Sequence, residues 1–275
     1  MKNLNMQATK HYENFPVASF LMPRELRHPV MLIYTFARNA DDFADEGDLS
    51  AEQRLVLLAN YRLQLDLIAA RQPSSDPFFN ALSAMVALHQ LPLQPFYDLL
   101  DAFVQDVTQA RYTDFAQLMN YCRRSANPVG RLMLHLYQQV SPQNVEYADA
   151  ICSALQIINF LQDVAIDYSK DRIYLPQDEL QRFHVSETQI ANNEAAAEWW
   201  PLMQFQIERA RHMLHSGKPL GNILQGRIGL EMRTIIAGGD TILDKLTACR
   251  GDIFKHRPTL NPWNWASMLY RALSK

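Results

Sequence analysis

The chain is poor in glycine and cysteine, and each shortage narrows what it can be. Nine glycines in 275 residues argue against Gly-rich β architecture and against repeats built on glycine. The three cysteines, Cys122, Cys152 and Cys249, are odd in number and far apart. They form no CxxC and no Cys/His ligand spacing, so neither a zinc site nor a disulfide framework is expected. They read instead as buried thiols in a reducing cytoplasm. Charge of one sign is also lacking. Lys+Arg number 26 and Asp+Glu 29, a formal charge of −3, which makes no electrostatic case for a nucleic-acid partner. No apolar run approaches the roughly 18 residues of a membrane span. Met1–Lys10 lacks the apolar core of a signal peptide. The expectation is a cytoplasmic chain that touches a membrane at most from its inner face. P-loop and Rossmann glycine motifs are absent, so no nucleotide site and no NADPH are expected.

What the chain does have is apolar material, 48% of residues, with 13 Phe, 11 Tyr and 4 Trp. Its apolar spacing is helical nearly throughout. Pro29 is expected in the first turn of a helix running to about Glu46. Ser50 and Asp76 are expected N-caps, and Leu91–Pro95 separates the third helix from a fourth holding Phe96, Leu99 and Phe103. Asp114 and Ser125 begin two short helices. Ser141-Pro142 begins a long one reaching about Tyr168, and Asp171–Pro176 breaks the pattern. Further helices are expected near 187–215, 226–248 and from Asn261 to Leu273. No alternation lasts long enough for a sheet, and there is no repeat or charged linker. One all-α domain over residues 1–275 is therefore preferred.

Four Asp-x-x-x-Asp pairs occur among the 18 aspartates: Asp41/Asp45, Asp163/Asp167, Asp167/Asp171 and Asp240/Asp244. About one is expected by chance at this composition, so spacing alone selects nothing, and context must. Residues i and i+4 share a helix face. The face of Asp41 carries Arg38 and Tyr34. The face of Asp163 carries Asn159, Gln156 and Cys152, with Asp167 one turn on. Both stripes sit on helices that are otherwise strongly apolar, and such helices are usually buried. Like-charged carboxylates there are costly unless a cation compensates them. Carboxylate oxygens suit hard cations, and Mg²⁺ in particular is held by a few carboxylates plus substrate phosphates. For Asp240/Asp244 a solvated face balanced by Lys245 is the simpler reading, and Asp171 is expected past its helix end, capping the next turn.

Cations supply a second line. Arg123, Arg124 and Arg131 follow Tyr121. Lys170, Arg172 and Tyr174 follow the second acidic pair within a few residues. Guanidinium forks match phosphate oxygens, so arginine near paired aspartates suggests a polyphosphate ligand.

Taken together, these segments resemble the squalene/phytoene synthase family from about His11 to Leu260. One motif is Tyr34-x-x-x-Arg38-x-x-Asp41-Asp42-x-x-Asp45-Glu46. Another is Gln156-x-x-Asn159-x-x-Gln162-Asp163-x-x-x-Asp167, followed by Arg172-x-Tyr174-x-Pro176. Between them, Tyr121–Gly130 matches a Tyr-Cys-x-x-x-Ala-x-x-Val-Gly segment. Within the family, the His11–Ser19 run, Arg123–Gly130 and Arg257–Leu260 are similar to the bacterial hopanoid-pathway hydroxysqualene synthases. Two departures stand out. Gln162 stands where an arginine is usual, and Phe254 lies near the place of a C-terminal tyrosine. Losing a cation at Gln162 should weaken the grip on a second diphosphate.

The resemblance implies an isoprenoid-synthase-type helical bundle with a central apolar cavity. It implies Mg²⁺, more than one ion, held by Asp41, Asp45, Asn159, Asp163 and Asp167, and a prenyl diphosphate substrate. It implies diphosphate contacts from Arg38, Tyr121, Arg124, Gln156, Asn159, Lys170, Arg172 and Tyr174, with Tyr34 beside them. Asn127 is the polar residue expected to hold an attacking water, although a turn role before Pro128 competes with it. Phe20, Phe36, Phe160 and Leu161 are candidates for facing a cationic intermediate. The implied reaction converts presqualene diphosphate to hydroxysqualene. Its rivals are condensation of two farnesyl or geranylgeranyl diphosphates, a non-catalytic helical assembly factor, and a cyclising or head-to-tail prenyl enzyme. Partner enzymes of the same pathway are also expected. Asn261–Lys275, with Trp263, Trp265, Met268 and Leu269, reads either as a last packed helix or as an amphipathic membrane-surface helix.

Overall fold

The structure is a computed structural model and describes residues 21–255 and 257–274. The His11–Ser19 run and Phe20 lie outside the described residues. Helices account for every regular element among those described: α1 (Arg24–Asp45), α2 (Ala51–Ala69), α3 (Pro77–His89), α4 (Gln94–Thr108), α5 (Phe115–Ser125), α6 (Asn127–Leu136), α7 (Pro142–Ser169), α8 (Gln177–Arg182), α9 (Glu187–Ala191), α10 (Trp199–Ser216), α11 (Leu220–Ile223), α12 (Gly226–Ala248) and α13 (Pro262–Leu273). A single bridge, Arg111 to Ile173, is the nearest thing to sheet pairing.

Local chemistry explains most boundaries. Ser50 accepts from the Gln53 amide while the Gln53 side chain accepts from the Ser50 amide, a reciprocal cap on α2. Asp76, Asp114, Ser141 and Asn261 cap α3, α5, α7 and α13 in the same one-sided or reciprocal way. α1 differs from expectation. It starts at Arg24, so Pro29 lies inside it. An internal proline forfeits one helical hydrogen bond and costs about 3 kcal/mol. The buried face of Leu26, Val30, Leu32, Ile33 and Phe36 offsets that, since each such side chain contributes about 1.5–3 kcal/mol. The expected helix near 187–215 is two helices, α9 and α10, because Asn193 turns left-handed at φ 56° and the chain must re-enter the helix at Trp199. α8 was not expected at all.

Two apolar clusters organise the bundle. The first gathers α1–α4 around Phe36, whose ring meets Phe96 edge-on at 5.2 Å and Phe79 at 6.5 Å. Phe36 is fully buried and is therefore core. The second centres on α7, α10 and α12 and includes Phe160, Leu161 and Trp199. α6 belongs to both, giving Leu132 and Leu136 to the first and Leu134 to the second. α1 packs on α2, α3 and α4, whereas α7 packs on α5, α6, α9, α10, α11 and α12. The two helices that carry the acidic motifs thus anchor different clusters. α7 is also the one helix among the described residues long and apolar enough to cross a membrane, yet here it is the central core helix. α6 lies hard against α7 at Gly130, where a Cβ would come within 2.7 Å of Cys152 Sγ.

Candidate active site

The two acidic faces meet across the segment that leaves α7. The helix ends at Ser169, and Asp171 turns left-handed at φ 57°. Arg111 fixes that turn, donating to the Asp171 carbonyl at 2.6 Å and to its carboxylate at 3.0 Å. Asp171 is thereby spent on the turn and does not extend the Asp163/Asp167 face. The turn aims Lys170 and Arg172 back at α1. Lys170 Nζ lies 3.1 Å from Asp45 and 3.7 Å from Glu46, and Arg172 pairs with the other Asp45 oxygen. On α1 itself, Arg38 reaches Asp41 at 2.9 Å and Asp42 at 2.5 Å. A cleft of about 400 Å³ opens beside these groups, lined by Asp45, Arg54, Asp106, Thr108, Lys170 and Arg172 among others.

The electrostatics identify which carboxylates are crowded. Burial and the neighbouring Asp45 charge raise Asp41 to about 6. Burial and Asp163 raise Asp167 to about 8. Each acidic pair therefore resists holding two full charges with only the protein's cations nearby. Among the described residues no three acidic, histidine or cysteine groups converge on one point. The donor set is thus two separate carboxylate pairs, with Asn159 half-buried on the face of the second. Such a set fits Mg²⁺ completed by substrate phosphate oxygens, and an added cation would relieve the crowding that holds the protons on.

Three groups outside the expected site residues complete the arrangement. Asp106 on α4 accepts from Tyr121 Oη at 2.8 Å and from Tyr174 Oη at 3.1 Å, while its own carbonyl accepts from Arg172 at 2.9 Å. Burial raises Asp106 to about 7, against the opposing pull of Arg172. A signal for it exists. It falls in register with Leu99 and Phe103 on the buried stripe of an apolar helix, where a lone aspartate needs partners. Arg257 grips Asp163 with two nitrogens, one at 3.0 Å. Gln162 is buried and donates to the Pro258 carbonyl at 2.5 Å, so its side chain serves the C-terminal strap and a cation, Arg257, sits one residue away on Asp163.

The remaining expected residues sort by place. Tyr121 and Tyr174 are buried, and Phe160 stacks on Tyr174 with centroids 3.8 Å apart and planes 7° apart, forming an aromatic floor under the cations. Arg124 is drawn to Gln105 of α4, and Arg131 to Asp149. Tyr34 and Gln156 are half-buried on their helices. Asn127 Oδ1 accepts from Ser153 Oγ at 2.8 Å, which ties α6 to α7. Ser153 precedes Asp163 by ten residues, about 15 Å along the helix. Asp240 receives Arg211, His215 and Lys218, and Asp244 receives Arg211. That pair is balanced from α10 and the turn after it, whereas Lys245 bonds the Thr259 carbonyl instead. Burial pushes the Cys122 and Cys152 thiols up to about 12, far from reactive thiolate.

Comparison with known proteins identifies the fold and the family. A hydroxysqualene synthase from Rhodopseudomonas palustris is 34% identical over 268 residues, spanning 97% of this chain and 89% of that protein. A phytoene synthase from Arthrospira platensis is 30% identical over 271 residues, 94% of this chain and 87% of the other. The crystal structure of squalene synthase HpnC from Alicyclobacillus acidocaldarius superposes with a TM-score of 0.81 at 31% identity, covering 87% of this chain and 90% of that one. Residues 8–264 match the squalene/phytoene synthase family, and with both acidic faces, the Tyr121–Gly130 segment and the Arg172–Pro176 turn in place on this helical fold, the chain belongs to that family.

Proposed function

We propose that this protein converts presqualene diphosphate and water to hydroxysqualene and diphosphate. More broadly, it is a prenyl-diphosphate-processing enzyme of the squalene synthase type. The observation that carries the reading is the convergence of two acidic helix faces, through Lys170 and Arg172, above an apolar and aromatic interior. Mg²⁺ held by Asp41 and Asp45 on one side and Asp163 and Asp167 on the other, with Asn159, would act as a Lewis acid on the departing diphosphate. Lys170 and Arg172 then neutralise charge on the leaving group, and Arg38 and Arg257 supply two further cations at the same rim. Tyr121 and Tyr174, both fixed by Asp106, close the polar end. The prenyl chain is assigned to the seam between the apolar clusters, where Tyr137, only partly buried, packs against both. Carbon–oxygen cleavage leaves a carbocation there, which ring opening and capture of water discharge to an alcohol with loss of a proton.

Support for this product over a hydrocarbon comes from the 34% identity over 97% of this chain to a hydroxysqualene synthase from Rhodopseudomonas palustris, with a second hydroxysqualene synthase, from Sinorhizobium fredii, at 29% over 91%. The similarity to phytoene synthases favours a second reading, head-to-head condensation of two prenyl diphosphates. The test is product analysis with purified protein, Mg²⁺ and either presqualene or farnesyl diphosphate. Hydroxysqualene from presqualene diphosphate alone is the expected result. Presqualene diphosphate, squalene or phytoene formed from simple prenyl diphosphates, or no turnover of presqualene diphosphate, would overturn the assignment.

A further inference from the structure

We propose that α13 and the basic pocket behind it form a docking surface for an anionic phospholipid bilayer. α13 runs antiparallel to α12, held at its ends by Lys245 on the Thr259 carbonyl and Arg233 on the Ala272 carbonyl. Met268 and Ala272 are buried. The opposite face carries Trp263, Ala266, Tyr270 and Leu273, spaced by three and four residues, so they form one stripe. Trp263 is 84% exposed, Tyr270 72% and Leu273 63%. Large apolar side chains scattered singly on a surface need no explanation, but three aligned on one helix face do.

Charge identifies the occupant. Tyr270 is also part of the wall of a cavity of about 430 Å³ that Lys218, Asn222, Arg233 and Arg271 line with Asp240. Asp240 is already matched by Arg211, His215 and Lys218. Arg271 is exposed and gives one nitrogen to Thr241 Oγ1. The apolar stripe therefore borders a pocket with more cation than anion. A tryptophan and a tyrosine at the level of headgroups, an aliphatic side chain below them and arginine or lysine alongside are what an interfacial helix needs against acidic lipid. An apolar face meeting a neutral protein partner would gain nothing from the adjacent cations. The surface is separate from the acidic faces of α1 and α7, and the proposal does not rest on the assigned reaction.

The experiment is sedimentation of the full chain with vesicles of phosphatidylcholine alone and of phosphatidylcholine mixed with phosphatidylglycerol, at low and high salt. No substrate is present, so the result stands apart from the identity of the reaction. Expected is binding to the mixed vesicles that weakens with salt. The K218Q/R271Q variant should bind them about fivefold more weakly for each cation removed, and W263S/Y270S/L273S should lose binding to them. Circular dichroism confirms that each variant is folded. Wild-type protein that stays in the supernatant, or variants that bind as wild type does, would overturn the proposal. So would a concentration-dependent dimer that the triple variant abolishes, because the stripe would then serve a second copy of this chain.

Discussion

Arg257 holds Asp163 through two guanidinium nitrogens across 94 residues of sequence. Both side chains are largely buried, at 16% and 13% exposure, and the strap bearing Arg257 is itself anchored by Gln162 on Pro258 and Lys245 on Thr259. A guanidinium on a candidate metal ligand competes with the metal for the same oxygens. Replacing Arg257 by Gln is therefore expected to tighten binding of Mn²⁺, used as a spectroscopic stand-in, by about tenfold for a partly solvated charge. Turnover should fall all the same, since a cation for the leaving group is lost. Electron paramagnetic resonance titration without substrate measures the first effect. Weaker Mn²⁺ binding by R257Q would show that the strap supports the metal site instead of competing for it.

The raised carboxyls set the sign of a pH effect. Asp41 titrates near 6, Asp106 near 7 and Asp167 near 8, all above the unfolded value of about 3.9. Between about pH 4 and pH 8 the folded chain holds protons that the unfolded chain releases, so folding stability contributed by these groups declines as pH rises. The metal-free protein should melt at progressively lower temperature from pH 5 to pH 8. Mg²⁺ with inorganic diphosphate should reverse the decline and release protons on binding. Calorimetry in two buffers of different ionisation enthalpy reads that release. A melting temperature that climbs over this range would contradict the crowding of the acidic faces.

How much of this was legible follows from the range of each interaction. Ser50, Asp76, Ser141 and Asn261 could be read as helix starts because a cap acts within three residues. The acidic pairs could be read because i and i+4 share a face. The split of α9 from α10 was not legible, because Asn193 adopts its left-handed turn in a segment whose spacing still looks helical. The partner of Asp163 lies 94 residues away, beyond any local pattern, although Arg257 stood out as part of a motif. Gln162 was legible as a missing cation but not as an anchor for the strap, because that depends on where Pro258 comes to rest.

Asp106 offers a test of what the aromatic floor needs. Its carboxylate carries both tyrosine hydroxyls, and burial holds part of the population protonated near neutral pH. Asn in its place keeps the shape and one acceptor but presents a donor to the other hydroxyl. D106N should retain the fold, losing about 1–3 kcal/mol at acid pH where Asp106 is neutral, and less at pH 8 where a buried charge has been removed. Turnover should drop about tenfold or more, mainly in kcat, as Tyr174 and the Arg172 segment lose their fixed position. Denaturation and steady-state kinetics at both pH values check the pattern. An equal stability loss at pH 5 and pH 8 would mean the buried carboxylate is charged throughout.

The pairs Asp41/Asp45 and Asp240/Asp244 have the same spacing, and substitution should separate them by opposite effects. Asp240 satisfies Arg211 at 3.3 Å, His215 at 2.7 Å and Lys218 at 3.2 Å. Removing its charge takes the anion from His215 and Lys218 and leaves Arg211 with Asp244 alone. D240N should cost about 1–3 kcal/mol of stability and leave Mg²⁺-dependent turnover within about twofold, since its partners lie away from the acidic faces. Asp41 is the reverse case, a carboxylate that Asp45 and burial already disfavour in its charged form. D41N should leave stability unchanged or raise it at pH 8 and reduce turnover at least 100-fold, the scale seen when a group that stabilises developing charge is lost. Thermal melts and kinetics on the two variants side by side decide between site and scaffold, because a purely structural role for Asp41 predicts the loss of stability that D240N shows.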